Sequence, residues 1–362
     1  MNAKALALLL ATLLLSGCDD KADEEKGFAG LADDASSYAQ VTPGTPLMFP
    51  RDHGAHNDFR IEWWYVTANL KDADGQSFGV QWTLFRNALP RSGAASQDNH
   101  GWNNRNLWMG HAAVTSADEH YAAERYARGG VGQAGVTLAP LTAWIDDWAL
   151  ASHASVENPL TDMQLQARGP QFGYTLRLTS SKPLVLQGQN GFSQKSDQGQ
   201  ASYYYSQPFF QAEGSLEIDG KTYRVSGPAW LDREWSSQPL TENQTGWDWF
   251  SLHLAGGADV MLYRMRQKDG EPYLTGTWIN ADGSTEPLAA HDIELVAQDT
   301  TQVEGRDMPT QWSVRIPRKG VDVSVEALNP YAWMNLQIPY WEGPVKVSGS
   351  QQGEGYLEMT GY

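Results

Sequence analysis

The chain has 362 residues and little of what staples small secreted folds or metalloproteins. Cys18 is its single cysteine, so no intramolecular disulfide can form and stability must come from packing. Among its 8 histidines, His53 and His56 stand close in His-Gly-Ala-His but lack a third ligand at a telling spacing, so no metal is expected. Lys and Arg total 26 against 43 acids, a formal charge of −17. That balance repels phosphate backbones and argues against nucleic acid as a partner, and against docking on anionic lipid through basic patches. No phosphate-cradling glycine loop, dinucleotide fingerprint or α/β-hydrolase nucleophile elbow is read, so no cofactor is expected. Long amphipathic helices are missing after the N-terminus; residues 119–128 are the one stretch of helical character.

Aromatic and turn residues are abundant instead: 15 Trp, 15 Tyr, 35 Gly and 18 Pro. Rings suit pleated, half-buried surfaces, and Gly and Pro punctuate turns, so the expected fold class is all-β. Glu62 to Leu70 leads through Asp74-Gly75 into Ser77 to Leu89, a hairpin. Asp219-Gly220, Asp269-Gly270 and Asp282-Gly283 mark further turns between strand-like runs. Polar residues from Ser237 to Gly246 suggest a boundary. The expected layout is a signal peptide at 1–17, an acidic tether at 18–40, and two β domains, at 41–237 and 238–362.

Carboxylates recur beside tryptophan: Glu62-Trp63, Asp147-Trp148, Glu234-Trp235, Asp248-Trp249 and Trp341-Glu342. Strand neighbours point to opposite faces, so Glu62 shares its face with Trp64, while Trp63 and Tyr65 lie on the other. If that face lines an apolar interior, desolvation raises the Glu62 pKa; if an arginine reaches it, the pair is structural, and the latter is preferred. Arg60, Arg233, Arg264 and Arg266 are the arginines considered. In Leu231-Asp232-Arg233-Glu234-Trp235, two same-face carboxylates repel, so one can hold a proton and act as an acid. Asp248 and Tyr263 complete the tentative catalytic set of Asp232, Glu234, Asp248 and Tyr263. Glu62, Trp64, His111, Trp235, Trp249 and Trp341 form the expected ligand-binding set, although a lone His in an apolar strand, as His111 is, is more often a satisfied core residue than a catalyst.

The N-terminus carries one lysine, an apolar run from Ala5 to Leu15, then small residues. This is a signal-peptide pattern, too short to span a membrane comfortably. Leu15-Ser16-Gly17-Cys18 resembles a bacterial lipobox, which implies lipidation of Cys18. Asp19 and Asp20 resemble a signal for inner-membrane retention. Together they imply a periplasm-facing lipid anchor in the cell envelope, at the inner membrane rather than the outer.

The ordered motifs Ile61-Glu-Trp-Trp-Tyr-Val, Trp108-Met-Gly-His-Ala, Leu231-Asp-Arg-Glu-Trp, Gly246-Trp-Asp-Trp-Phe, Met261-Leu-Tyr-Arg-Met-Arg and the ending from Tyr340 resemble the carotenoid 1,2-hydratase-like (AttH/CrtC) family of lipocalin-like proteins. The resemblance runs from about Pro46 to Tyr362. It implies two lipocalin-like β domains packed together, with an apolar ligand site in or between them. The named hydratase chemistry adds water across an isoprenoid double bond and needs an acid in a dry, ring-lined site. The chain departs from the pigment hydratases around Asp248 and at Arg264-Met265. Two functions stay open: an anchored carrier for an apolar molecule, or an enzyme acting on a lipid or isoprenoid. A third reading is a partner of an ABC-type transporter complex.

Overall fold

The computed structural model describes residues 28–33, 35–89 and 101–362. The leader and the start of the expected tether, residues 18–27 with Cys18, lie outside the described residues. Among these residues there is no α-helix, only strands and short 3-10 turns. The strands form two antiparallel sheets, the first of 13 strands ending at Ser236, the second of 10 beginning at Gln244.

In the first sheet Asn106–Ser116, Ser77–Ala88, Ile61–Lys71, Lys221–Ser236 and Ala201–Ile218 are successive neighbours. The sheet curls until His120–Arg128 comes against Leu141–Ile145. There Arg125 bonds to Asp147, and its guanidinium lies 4.3 Å over the Trp148 ring. The near-barrel is filled by Trp64, Val66, Trp82, Trp148, Trp235 and their neighbours. The second sheet, a half-barrel, has its own core around Phe250, Trp312, Trp333 and Trp341.

The expected turns are present. Asp219 and Gly220 both take positive φ (48° and 76°) between paired Ile218 and Lys221, the primed hairpin turn that matches strand twist. The Glu62–Leu70 hairpin forms with Ile61 opposite Asn87 and Lys71 opposite Ser77. Its turn also carries the spacing of a nucleophile elbow, Gly75-Gln-Ser77-Phe-Gly79, but it runs strand to strand and supplies no helix behind the serine.

The helical reading of 119–128 is corrected: His120–Arg128 is a strand. Ala122, Ala123 and Glu124 favour helix locally, but pairing along Asn106–Ser116 from Leu107–Arg128 to Thr115–His120 overrides that weak preference.

The outer faces of the two sheets meet. At the closest approach a Cβ on Gly79 would lie 2.6 Å from both Pro344 Cγ and the Tyr356 hydroxyl, so the position accepts no side chain. Asn69 Nδ2 donates to the Gly355 carbonyl across the same seam, at 2.7 Å. A third buried cluster, including Ile61, Tyr65, Trp230, Trp249 and Tyr263, fills the junction.

Candidate functional site

Strand alternation divides the residues of Ile61–Lys71 between two environments. Glu62 and Trp64 point into the near-barrel. Glu62 is fully buried, with Arg86 Nε on Oε1 and Arg233 Nη2 on Oε2 at 2.5 Å, and the His56 backbone N–H donates to both oxygens. Burial alone would raise its pKa, but the two arginines hold it far below the ordinary range. Arg233 also lies 3.7 Å over the Trp64 ring. Trp235 stacks on His56 at 3.9 Å. Arg86, two strand positions before Ala88, was not among the arginines considered; it stands directly opposite Glu62 in the hairpin register. Glu62, Trp64 and Trp235 therefore belong to the barrel interior.

Trp63 and Tyr65 point the other way, into the junction between the sheets. The register aligns Asp232, Tyr65, Thr83 and His111 across four adjacent strands, and Trp63, Phe85 and Met109 in the next row. The facing sheet aligns Tyr263, Trp249, Glu358 and Glu342 in the same manner. Between these rows lies a partly enclosed cavity of about 100 Å³, room for several waters or for part of a larger apolar ligand. Rings from both sheets line it, and Phe28, Ala29 and Leu31 close one side, with Phe28 edge-on to Trp247 at 5.5 Å. Of the expected residues, the cavity brings together Asp232, Tyr263, His111 and Trp249.

Besides Glu62, Trp64 and Trp235 in the barrel interior, three further expected residues lie outside the cavity. Glu234 sits beside the cavity, salt-bridged to buried Lys195 at 2.9 Å and receiving the Tyr263 hydroxyl at 3.1 Å. Asp248 is on the opposite face from Trp249, held by Arg264 at 3.1 Å, Arg266 at 2.5 Å and the Tyr362 hydroxyl at 2.8 Å. Trp341 is wholly buried in the second core, its indole donating to the Pro330 carbonyl. Barrel parity accounts for the two displaced tryptophans on the first sheet, and core packing for Trp341. Among the described residues no cluster of three or more His, Cys, Asp or Glu is arranged to hold a metal ion. His53 instead bonds the Tyr205 hydroxyl at 2.7 Å.

Two carboxylates line the cavity without a cationic partner. Asp232 is 2 % exposed and receives Ser206 Oγ and Trp230 Nε1 on Oδ1 and the Tyr204 hydroxyl on Oδ2, at 2.5, 2.6 and 2.6 Å. Burial outweighs those three donors, and the Glu234 charge adds to it, lifting the pKa from 3.8 to about 7. Glu358 was missed by sequence reasoning because no tryptophan adjoins it. It receives only Trp247 Nε1, at 2.5 Å, and burial again lifts it, from 4.5 to about 7. Next to it across the strands, Glu342 accepts the Tyr65 hydroxyl and is pushed far above the carboxylate range by burial and by Glu358. The site therefore offers acids that are half-protonated near neutrality, set among π faces.

Residues 40–362 match the AttH-like family. The chain belongs to that family. An AttH crystal structure from Nitrosomonas europaea is 32% identical, with a TM-score of 0.77 over 90% of this chain and 99% of that one. Kievitone hydratase from Nectria haematococca shares the fold at 16% identity and a TM-score of 0.67, covering 90% of this AttH-like chain and 96% of its own. Acyclic carotenoid 1,2-hydratase from Rubrivivax gelatinosus is 30% identical over 100 residues, 27% of this chain; the match spans 24% of that protein's length. The two-sheet lipocalin-like architecture is thus the AttH-like fold.

Proposed function

We propose that this AttH-like protein binds an apolar, alkene-bearing small molecule between its sheets and transforms it by carboxylic-acid catalysis, as a hydratase or isomerase. The observation that carries the reading is the pair of buried Asp232 and half-buried Glu358, lining an apolar cavity with no cation to hold them ionised. The names of two relatives, both hydratases, support it. In a hydration, the Glu358 carboxyl gives its proton to one alkene carbon; a C–H bond forms as the π bond breaks. The cation on the neighbouring carbon faces Trp63, Trp247 and Trp249, whose rings stabilise positive charge. Water then forms the C–O bond, and its surplus proton returns to the Glu358 carboxylate. An isomerase differs only in the last step, where a neighbouring C–H loses the proton.

A carrier without turnover is the second reading, favoured by Asp232, whose oxygens are already met by three donors. In either case Cys18 anchors the protein to the envelope, facing the periplasm, and an ABC-type transporter is a partner to be sought there. Native mass spectrometry of protein extracted gently from its own envelope identifies the ligand. Incubation of that ligand in ¹⁸O water then tests the chemistry: wild type yields labelled product or a shifted double bond, and Glu358→Gln binds without turnover. Unchanged turnover in both Glu358→Gln and Asp232→Asn rejects the acid assignment. A retained ligand that wild type never alters establishes the carrier.

A further inference from the structure

Most polar atoms on the cavity wall have protein partners. Asp232 is met by three donors, Tyr65 donates to Glu342, Tyr263 to Glu234, Thr83 accepts from Gln81, and Thr360 accepts the Trp247 backbone N–H. Among the described residues, His111 Nε2 is the lining side-chain atom that is both buried and without a partner. His111 is 1 % exposed, and its Nδ1 is 2.9 Å from the Tyr340 hydroxyl. The ring is fixed there, stacked on Tyr340 at 5.7 Å and edge-on to Phe85 at 5.2 Å. A buried ring nitrogen without a partner costs stability unless something in the cavity meets it.

We propose that the ligand carries an oxygen, a carbonyl or hydroxyl, that accepts a hydrogen bond from His111 Nε2, so that the protein takes an oxygenated apolar molecule and not a bare hydrocarbon. This rests on the reading of the cavity as the ligand site. The direction of the bond follows from the group behind the ring. A phenol hydroxyl is a far better hydrogen-bond donor than acceptor and a bare imidazole nitrogen is a strong acceptor, so Tyr340 gives its proton to His111 Nδ1 and the neutral ring carries its hydrogen on Nε2. Burial keeps the imidazole neutral, with a pKa lowered to about 3, so Nε2–H is a neutral donor aimed at an acceptor.

Acetophenone and α-methylstyrene differ only in C=O against C=CH₂ and isolate this contact. NMR titration of the full-length wild-type protein is expected to give acetophenone about a tenfold tighter Kd, because the hydrocarbon leaves the donor unmet. In His111→Phe that preference falls to near one while α-methylstyrene affinity stays within about twofold, and His111→Gln, which restores an N–H, recovers part of it. Equal wild-type affinities, which would place a trapped water on Nε2, overturn the oxygen contact and leave the cavity reading standing. A preference retained in His111→Phe also overturns it. Binding of neither probe removes both.

Discussion

Asp232→Asn should change the pH dependence of stability in a calculable way. The Asp232 carboxyl titrates near 7 when folded against an ordinary 3.8. The folded state therefore binds this proton more tightly, and the group's contribution to stability is full below the unfolded pKa and lost as pH rises through 7. Between pH 5 and 8 that amounts to two decades of differential protonation, roughly 2–3 kcal/mol. Other groups act in the same range. His53, His111 and His120, kept neutral by burial with pKa values lowered to about 4, 3 and 4, weaken the fold as pH drops below their unfolded value. Glu358 acts in the same direction as Asp232. Both proteins contain the three histidines, whose shifts owe nothing to Asp232, so these cancel in the difference between wild type and variant; Glu358, which the Asp232 charge helps to push up, cancels only in part. Urea unfolding followed by tryptophan fluorescence at successive pH values should show wild type gaining roughly 2–3 kcal/mol on Asp232→Asn from pH 8 to pH 5. A difference that is flat with pH, or that grows toward alkaline pH, refutes the assignment of Asp232 as a protonatable buried acid.

Two further outcomes probe the frame around the site. Glu62→Gln leaves Arg86 and Arg233 buried without their shared anion, and should cost about 3–5 kcal/mol in urea unfolding with cavity binding unchanged; a loss below about 1 kcal/mol would contradict the ion-pair reading. Gly79→Ala pushes a methyl into Pro344 and Tyr356 and should cost about 1–3 kcal/mol, with faster amide exchange in Tyr340–Gly349; wild-type thermal stability and exchange would show that the seam is not packed as described.

The elements that were legible in the sequence are those with local causes. Asp219-Gly220 fixes its turn through backbone conformation, and the alternation of Glu62 to Val66 fixes which residues share a face. The site was only partly legible because it forms between faces that are remote in sequence. Asp232 was found through its like-charged neighbour, a local signal. Glu358 gave no such signal: Leu357 and Met359 beside it are unremarkable, and its environment comes from Trp247, 111 residues away. Trp64 and Trp341 were misplaced for a related reason. A tryptophan in sequence does not reveal which sheet face becomes core and which becomes cavity, and here the barrel interior is filled while the ligand space lies outside it.

The parity of Ile61–Lys71 and Lys221–Ser236 has a consequence for how such a protein can diversify. Along each strand, one set of alternating positions (Glu62, Trp64, Arg233, Trp235) is locked into an ion-paired interior, and the other (Trp63, Tyr65, Asp232) faces the cavity. Substitutions at every second residue can therefore reshape what is bound without touching the ion cluster inside the barrel. Inheritance of the scaffold and drift in chemistry are separated by a spacing of one residue. A family built this way can change substrates while its barrel interior stays nearly fixed.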